Sequence, residues 1–224
     1  VFFSSLYNFA AKNKFKYILT GGNFSTECVR EPLEWGAYYQ TDMTYINDIH
    51  RKFGKIPLTT FPTCDIFKYK ILYRLINGVR VVKPLDHVPF IKEEAIKLLH
   101  DKFNWTPYPH KHHESRFTRF FESFWLPRKF GYDRRKAHFS SLILTNQMNR
   151  DAALDRISRH ELDEQTLIQE FEYVAQKLDL SVEELTKLFN GENKNYMDYR
   201  NKLKIINLGT RIMQLLGLEK RTFK

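Results

Sequence analysis

The sequence predicts an α/β fold in its first half and a predominantly helical second half. A helix, a short buried strand and a Gly-Gly turn follow one another at the N-terminus, and helical periodicity runs from His112 onward. In α/β sheets the turn after a buried strand is where ligands bind. We therefore expect an α/β part over residues 1–109 and a helical part over residues 110–224.

Periodicity and turn residues place the elements of the first half. Two segments are predicted to be extended, a strand over residues 15–20 and a strand or extended turn over residues 56–61. Gly54 stops one helical pattern and Pro89 precedes another. The predicted helices cover residues 1–13, 42–53, 64–76 and 93–103.

The second half is predicted to be a succession of helices. Phe117, Phe120, Phe121 and Phe124 lie at helical spacing and form an apolar stripe. The sequence from Ser181 to Glu184 is a capping box, which marks the start of a helix. The helices expected after the stripe cover residues 133–147, 149–158, 163–178, 181–190 and 195–216.

Positive charge is concentrated between His110 and His138. This segment holds eight Lys or Arg residues against three Asp or Glu, together with four of the eight histidines of the chain. Such donors repel one another unless an anion, carboxylates or solvent offsets them. The net charge of +10 also favours anionic partners, which include nucleotides, nucleic acid, acidic sugars and a membrane surface. Charge alone does not choose among them.

Three groups of residues are candidates for a functional site. The first group is Lys111, His112, His113, Glu114, Arg116 and Arg119, the second is Arg134, Arg135, Lys136 and His138, and the third is Gly21, Gly22, Asn23 and Glu27. In the first group, His113 and Glu114 could exchange protons near neutral pH. The alternatives stay open: a solvated helix start for the first group, a basic helix surface for the second and a common strand turn for the third.

Several classes of site and location are not supported by the sequence. Cys28 and Cys64 are far apart, so neither a disulfide framework nor a cysteine zinc site is predicted. The histidines do not reproduce the HExxH pattern, and no metal site is expected. No apolar run is long enough to span a bilayer and no signal peptide is recognisable, so a cytoplasmic protein is expected. The chain begins without Met and is interpreted as a fragment or a processed chain.

At this level of detail the sequence resembles a known family. The resemblance is to the C-terminal half of the N-acetyl sugar amidotransferases of the WbpG and PseA type, which act in lipopolysaccharide, O-antigen and flagellin-sugar biosynthesis. Residues 17–27, a strand and a glycine-asparagine loop that ends in a glutamate, resemble the family. The other segments that resemble it are residues 104–105, 111–127, 129–138, 140–144, 147–148 and 150–154.

The resemblance implies a fold and a reaction. Members of this family have the adenine-nucleotide-hydrolase-like fold of the PP-loop ATP pyrophosphatases. They use ATP, with magnesium, to activate the acetamido carbonyl of a nucleotide-linked or acidic sugar, and ammonia then gives an acetamidino group. Glutaminase and cyclase-like subunits deliver the ammonia. By this resemblance Lys111 and Arg116 would hold phosphate charge, and His113 or Glu114 would transfer protons.

One departure from the family pattern qualifies this prediction. The Ser-Gly-Gly-Lys-Asp-Ser loop that binds ATP has no counterpart in this sequence, so most ATP contacts are expected from residues outside it, and autonomous ATP hydrolysis is not expected. One alternative is a non-catalytic basic helical module that binds nucleic acid or an acidic partner. Nucleic acid is the weaker interpretation because the phenylalanines follow a helical packing stripe. A scaffold for a partner subunit is a third possibility.

Overall fold

The computed structural model describes residues 1–32, 35–36, 38–108, 114–215 and 217. Short 3-10 turns cover Pro84–Asp86 and Tyr196–Asp198. The longer elements are α1 (Phe2–Lys12), β1 (Tyr17–Leu19), α2 (Phe24–Glu27), α3 (Met43–Phe53), the π-helical α4 (Lys68–Ile76), β2 (Arg80–Val82), α5 (Lys92–Phe103), α6 (Arg116–Phe120) with its π-helical continuation (Phe121–Phe130), α7 (Arg135–Leu144), α8 (Arg150–Ser158), α9 (Glu164–Lys177), α10 (Val182–Asn190) and α11 (Leu203–Leu215).

The two strands pair in parallel, as in an α/β sheet. The amide of Arg80 donates to the carbonyl of Lys16, 2.8 Å away, and the amide of Thr20 donates to the carbonyl of Val82, 3.0 Å away. The strand predicted over residues 15–20 is confirmed as β1, whereas β2 was not predicted. Because the strands are parallel, their carboxyl ends meet at one edge of the sheet.

The chain divides into two compact units, which we describe separately. The first unit comprises residues 1–18, 38–81 and 194–224, and the second comprises residues 19–37 and 82–193. The predicted boundary between residues 109 and 110 lies outside the described residues and stays a prediction. The core of the first unit is formed by Tyr7, Ala10, Cys64, Tyr73 and Val79.

Two buried carboxylates organise the first unit. Asp42 begins α3 as its N-cap, which confirms the predicted helix start, and its second oxygen accepts from the amide of Lys202 at 2.5 Å. Asp48 accepts from the amide of Arg200 at 3.0 Å. Burial alone would raise the pKa of Asp42, but the hydrogen bonds from Lys202 and Tyr38 outweigh it and lower that pKa. Both carboxylates thus fix the chain before α11 to helix α3.

In the second unit, α6 and its continuation pack against α9 and α10. The predicted phenylalanine stripe is partly confirmed, because Phe120 and Phe124 are buried whereas Phe117 is exposed. The ring of Phe124 stacks on Phe189 with centroids 5.1 Å apart. The capping box at Ser181 is confirmed. A second small core of Phe139, Leu142 and Ala153 joins α7 to α8.

One predicted element is wrong and another is decided between its alternatives. Residues 56–61 contain no strand in the structure, so only the extended turn is left of the two alternatives for this segment. The single helix predicted over residues 195–216 is interrupted because Asn195 caps a separate 3-10 turn. Its side chain accepts from the amide of Met197, while Asp198 accepts from the amide of Asn195, both at 2.7 Å. These side-chain bonds compete with helix propagation, and α11 begins only at Leu203.

Candidate functional site

The turn after β1 lies against the residue that follows β2. A Cβ atom added to Gly22 would lie 3.6 Å from Nζ of Lys83 and 3.6 Å from Oε2 of Glu27. The Asn23 side chain caps α2 by accepting from the amide of Thr26 at 2.8 Å. The structure therefore brings the predicted loop residues to one edge of the sheet and adds a lysine to them. We call Gly21, Gly22, Asn23, Glu27 and Lys83 the strand-end site.

The two glycines of this site are not required by the fold. Neither Gly21 nor Gly22 adopts a positive φ, so an L-residue could take the same backbone conformation. A Cβ on Gly21 would meet no atom within 4 Å, and one on Gly22 would make only ordinary contacts. The surface at Gly21 is consequently open, and a ligand could reach the backbone there.

Helix α7 holds the loop through two hydroxyl groups, of which that of Ser141 is buried and that of Thr145 is half-buried. Ser141, whose exposed fraction is 0%, accepts from the amide of Val29 at 3.0 Å and donates to the carbonyl of Ala137 at 3.1 Å. Thr145 donates to the carbonyl of Ser25 at 2.7 Å. These side chains complete backbone bonds that the short helix α2 cannot provide for itself.

His138 and Gln147 extend the same contact. Nδ1 of His138 lies 3.3 Å from the carbonyl oxygen of Thr26. The Gln147 side chain accepts from the amide of Lys92 at 2.8 Å and donates to the carbonyl of Phe90 at 3.4 Å. His138, which belongs to the second predicted group, therefore lies beside the loop, and one of its ring nitrogens faces a backbone carbonyl.

Replacing Ser141 with alanine is expected to lower the free energy of unfolding by about 1 to 2 kcal/mol, because the amide of Val29 loses its acceptor. Urea denaturation followed by circular dichroism measures this change. The control is Ser158→Ala on α8, where the exposed hydroxyl donates to Asp155 in its own helix. Equal losses in the two variants would contradict a specific role for Ser141.

Arg116 and Arg119 of the first predicted group contact a buried carboxylate. Nη2 of Arg116 lies 2.8 Å and Nη2 of Arg119 lies 2.5 Å from Oε1 of Glu170, whose side chain is 4% exposed. The hydrogen bond to Glu170 raises the pKa of Arg116. The guanidinium of Arg116 also lies 3.6 Å from the centroid of the Tyr173 ring. The single carboxylate of Glu170 therefore offsets one of these two positive charges inside the second unit.

The second predicted group is also paired in part. Arg134 contacts Glu31 and lies 2.5 Å from Glu122. Arg135 binds Asp133 at 2.7 Å and donates to the carbonyl oxygens at the end of α8. Lys136 is exposed and makes no ion pair with any residue in the described ranges. The paired arginines therefore contribute less positive potential to an external ligand than their number suggests.

Of the remaining residues in the first predicted group, Glu114 lies within the described ranges and is exposed. Lys111, His112 and His113 lie outside the described residues, so their proposed roles stay predictions. Within the described ranges, no group of three or more His, Cys, Asp and Glu side chains could hold a metal ion. In the same ranges, no helix has the length and apolar character needed to cross a bilayer.

Sequence reasoning did not find Lys83, Ser141 or Glu170. Lys83 follows a strand of only three residues, which is too short for a periodic signal. Ser141 and Glu170 lie on helices, and a polar residue on a helix is ordinarily solvent-exposed. The signal for Glu170 was the excess of arginines between His110 and His138, since carboxylates are one of the partners that can offset such charges.

Residues 114–213 match the family described as LPS biosynthesis protein WbpG-like, C-terminal domain. Over these residues the chain is similar to the C-terminal region of WbpG-like proteins. The match confirms the predicted resemblance to WbpG-type proteins over the residues that it covers. No curated protein and no solved structure gave a significant match. The WbpG-like domain includes α7 with Ser141 and Thr145, whereas the strand-end site lies outside it.

Proposed function

We propose that this chain is the C-terminal part of an ATP-dependent N-acetyl sugar amidotransferase of lipopolysaccharide or flagellin-sugar biosynthesis. One observation carries the proposal: helix α7 of the WbpG-like domain binds the glycine-asparagine loop at the carboxyl ends of two parallel strands. The two halves of the sequence resemblance thus meet at the position where α/β proteins bind their ligands.

The proposed reaction has two steps. The acetamido oxygen of the sugar attacks the α-phosphorus of ATP, the bond to the bridging oxygen breaks, and pyrophosphate leaves. Ammonia then adds to the activated carbon and loses protons to a base. The carbon–oxygen bond breaks, so AMP leaves with the former carbonyl oxygen and the sugar retains an acetamidino group.

The strand-end site suits the anionic reactants of this reaction. Open backbone at Gly21 lets a phosphate approach closely, and Glu27 supplies one carboxylate beside it. Magnesium is commonly held by one or two carboxylates together with the phosphates of the substrate, so Glu27 fits that role. Lys136, with its exposed ammonium group, and the open part of Arg116, which is 47% exposed, are further candidates for phosphate charge.

Replacing Glu27 with glutamine is expected to reduce amidotransfer by at least about tenfold, because the site loses one charged contact. The assay uses the intact protein with its ammonia-delivering subunits, ATP, isotopically labelled ammonium and a nucleotide-linked acetamido sugar. Mass spectrometry measures label in the sugar, and an oxygen label in the acetamido group should appear in AMP.

The matched control is Glu172→Gln, an equal charge change at an exposed residue of α9, which should retain activity. Thermal unfolding of both variants establishes that they are folded. Release of phosphate in place of AMP and pyrophosphate would overturn the proposed chemistry. Full activity of Glu27→Gln would overturn the assignment of the site.

A further inference from the structure

We propose that Lys83 is the cationic binding residue of the strand-end site, and that the site takes a diphosphate group. Such a group occurs in ATP and in nucleotide-linked sugars. The proposal rests on the proposed function only in naming ATP and nucleotide-linked sugars as the molecules that supply the diphosphate. The chemistry of the site itself, an ammonium group beside open backbone, does not depend on the reaction that follows.

The position of Lys83 is the first reason. It follows β2 directly, and its Nζ and Cε would lie 3.6 Å and 3.5 Å from a Cβ atom added to Gly22. The side chain thus turns toward the β1 turn, although the residue is exposed. No hydrogen bond or ion pair within the described ranges holds it there. Its ammonium donors therefore remain available to an anion.

The glycines give an independent reason. Glycine costs conformational entropy on folding, yet neither the backbone angles nor the neighbours of Gly21 require it. A Cβ at that position would point into open space next to the strand end. The absence of a side chain on two successive residues leaves room for a group that contacts the backbone closely. An oxyanion beside Lys83 meets that description.

The charges of neighbouring residues favour this position over the basic helices. Arg116 and Arg119 share Glu170, and Arg134 is held between Glu31 and Glu122. An anion binding to these arginines would compete with carboxylates that are already in place. Lys83 forms no ion pair with a described residue, although the carboxylate of Glu27 lies on the same side of Gly22. Its charge is therefore more accessible than the charges of the paired arginines.

Isothermal titration calorimetry of the chain with inorganic pyrophosphate tests the proposal. We expect binding by the wild-type chain and a loss of about ten- to a hundredfold in affinity for Lys83→Met, which corresponds to one charge-assisted hydrogen bond. Lys83→Arg should restore most of the affinity. Gly21→Val should weaken binding without loss of thermal stability, because its side chain would occupy the open space.

The control is Lys97→Met, which removes the same charge from an exposed position on α5. An equal loss in Lys97→Met would mean that only net charge matters, and would overturn the assignment. Unchanged affinity in Lys83→Met, or no binding by the wild-type chain, would also overturn it. Parallel titrations with ATP and with a uridine-diphosphate acetamido sugar distinguish the two sources of the diphosphate by which of them displaces pyrophosphate.

These outcomes are separable from the fate of the proposed function. If pyrophosphate binding depends on Lys83 but the intact enzyme forms no acetamidino sugar, the diphosphate site stands and the amidotransferase proposal fails. If the intact enzyme is active while Lys83→Met binds pyrophosphate normally, the amidotransferase proposal stands and the assignment of Lys83 to a diphosphate site fails.

Discussion

Replacing Glu170 with alanine is expected to lower the free energy of unfolding by about 3 kcal/mol, because the partly exposed Arg116 and Arg119 both lose the buried carboxylate that pairs with them. Arg116 and Arg119 both contact this carboxylate, and the buried Nε of Arg119 has no hydrogen-bond partner among the described residues. Urea denaturation followed by tryptophan fluorescence measures the loss, since Trp125 packs in the adjacent core.

A neighbouring residue provides the control for this variant. Glu172 lies on the same helix and is exposed, so Glu172→Ala should change the stability only slightly. Replacing all three members of the cluster, with Glu170→Leu, Arg116→Met and Arg119→Met, should recover much of the stability, because no unpaired charge remains. A triple variant less stable than Glu170→Ala would show that the ion pairs themselves provide the stabilisation.

The effect of Glu170 should depend on pH. Burial by itself raises the pKa of Glu170, but the hydrogen bonds and charges of Arg116 and Arg119 outweigh it, and the pKa is lower than the ordinary value of 4.5. The unfolded state therefore binds a proton more readily than the folded state in this range. The stabilisation is complete above the ordinary pKa and is lost as pH falls through the lowered one. The difference between wild type and Glu170→Ala should shrink over that interval.

Replacing Asp42 with alanine should lower the free energy of unfolding by a similar amount, about 3 kcal/mol, since several donors lose a buried acceptor at once. Asp42 is 1% exposed and accepts from the amides of Thr44 and Tyr45, from the Tyr38 hydroxyl and from the amide of Lys202. Urea denaturation followed by circular dichroism measures the change.

An N-cap with fewer contacts is the comparison for Asp42. Asn149 caps α8 through one bond to the amide of Ala152, so Asn149→Ala should cost only about 1 kcal/mol. The excess in Asp42→Ala then reports the additional bonds from Tyr45, Tyr38 and Lys202. If the two variants lose the same stability, those additional bonds contribute nothing measurable.

Helix starts were predictable from the sequence because their causes are local. Asp42, Asn149, Asp163 and Ser181 each accept from an amide two or three residues further along, and each marks a predicted helix start. Short strands were less predictable. β2 has three residues, and its pairing with β1 depends on residues about sixty positions earlier in the chain.

The candidate site shows the same division. The loop from Gly21 to Glu27 was predictable, since a strand followed by glycines has a known role in α/β sheets. Its support by Thr145, which binds the carbonyl of Ser25, was not predictable, because the two residues are more than a hundred positions apart. The interpretation of Arg116 depends on Glu170, which is 54 residues further along the chain. Spacing within one helix contains no information about such a partner.

The contact between α7 and the loop shows that the limits of the family match differ from the limits of the packed structure. The WbpG-like family covers residues 114–213, yet Ser141 and Thr145 bind backbone groups at Val29 and Ser25, which lie outside that range. A polypeptide trimmed to the family limits would present these hydroxyl groups to water. Sequence relatedness therefore does not delimit the smallest part of this protein that can fold by itself.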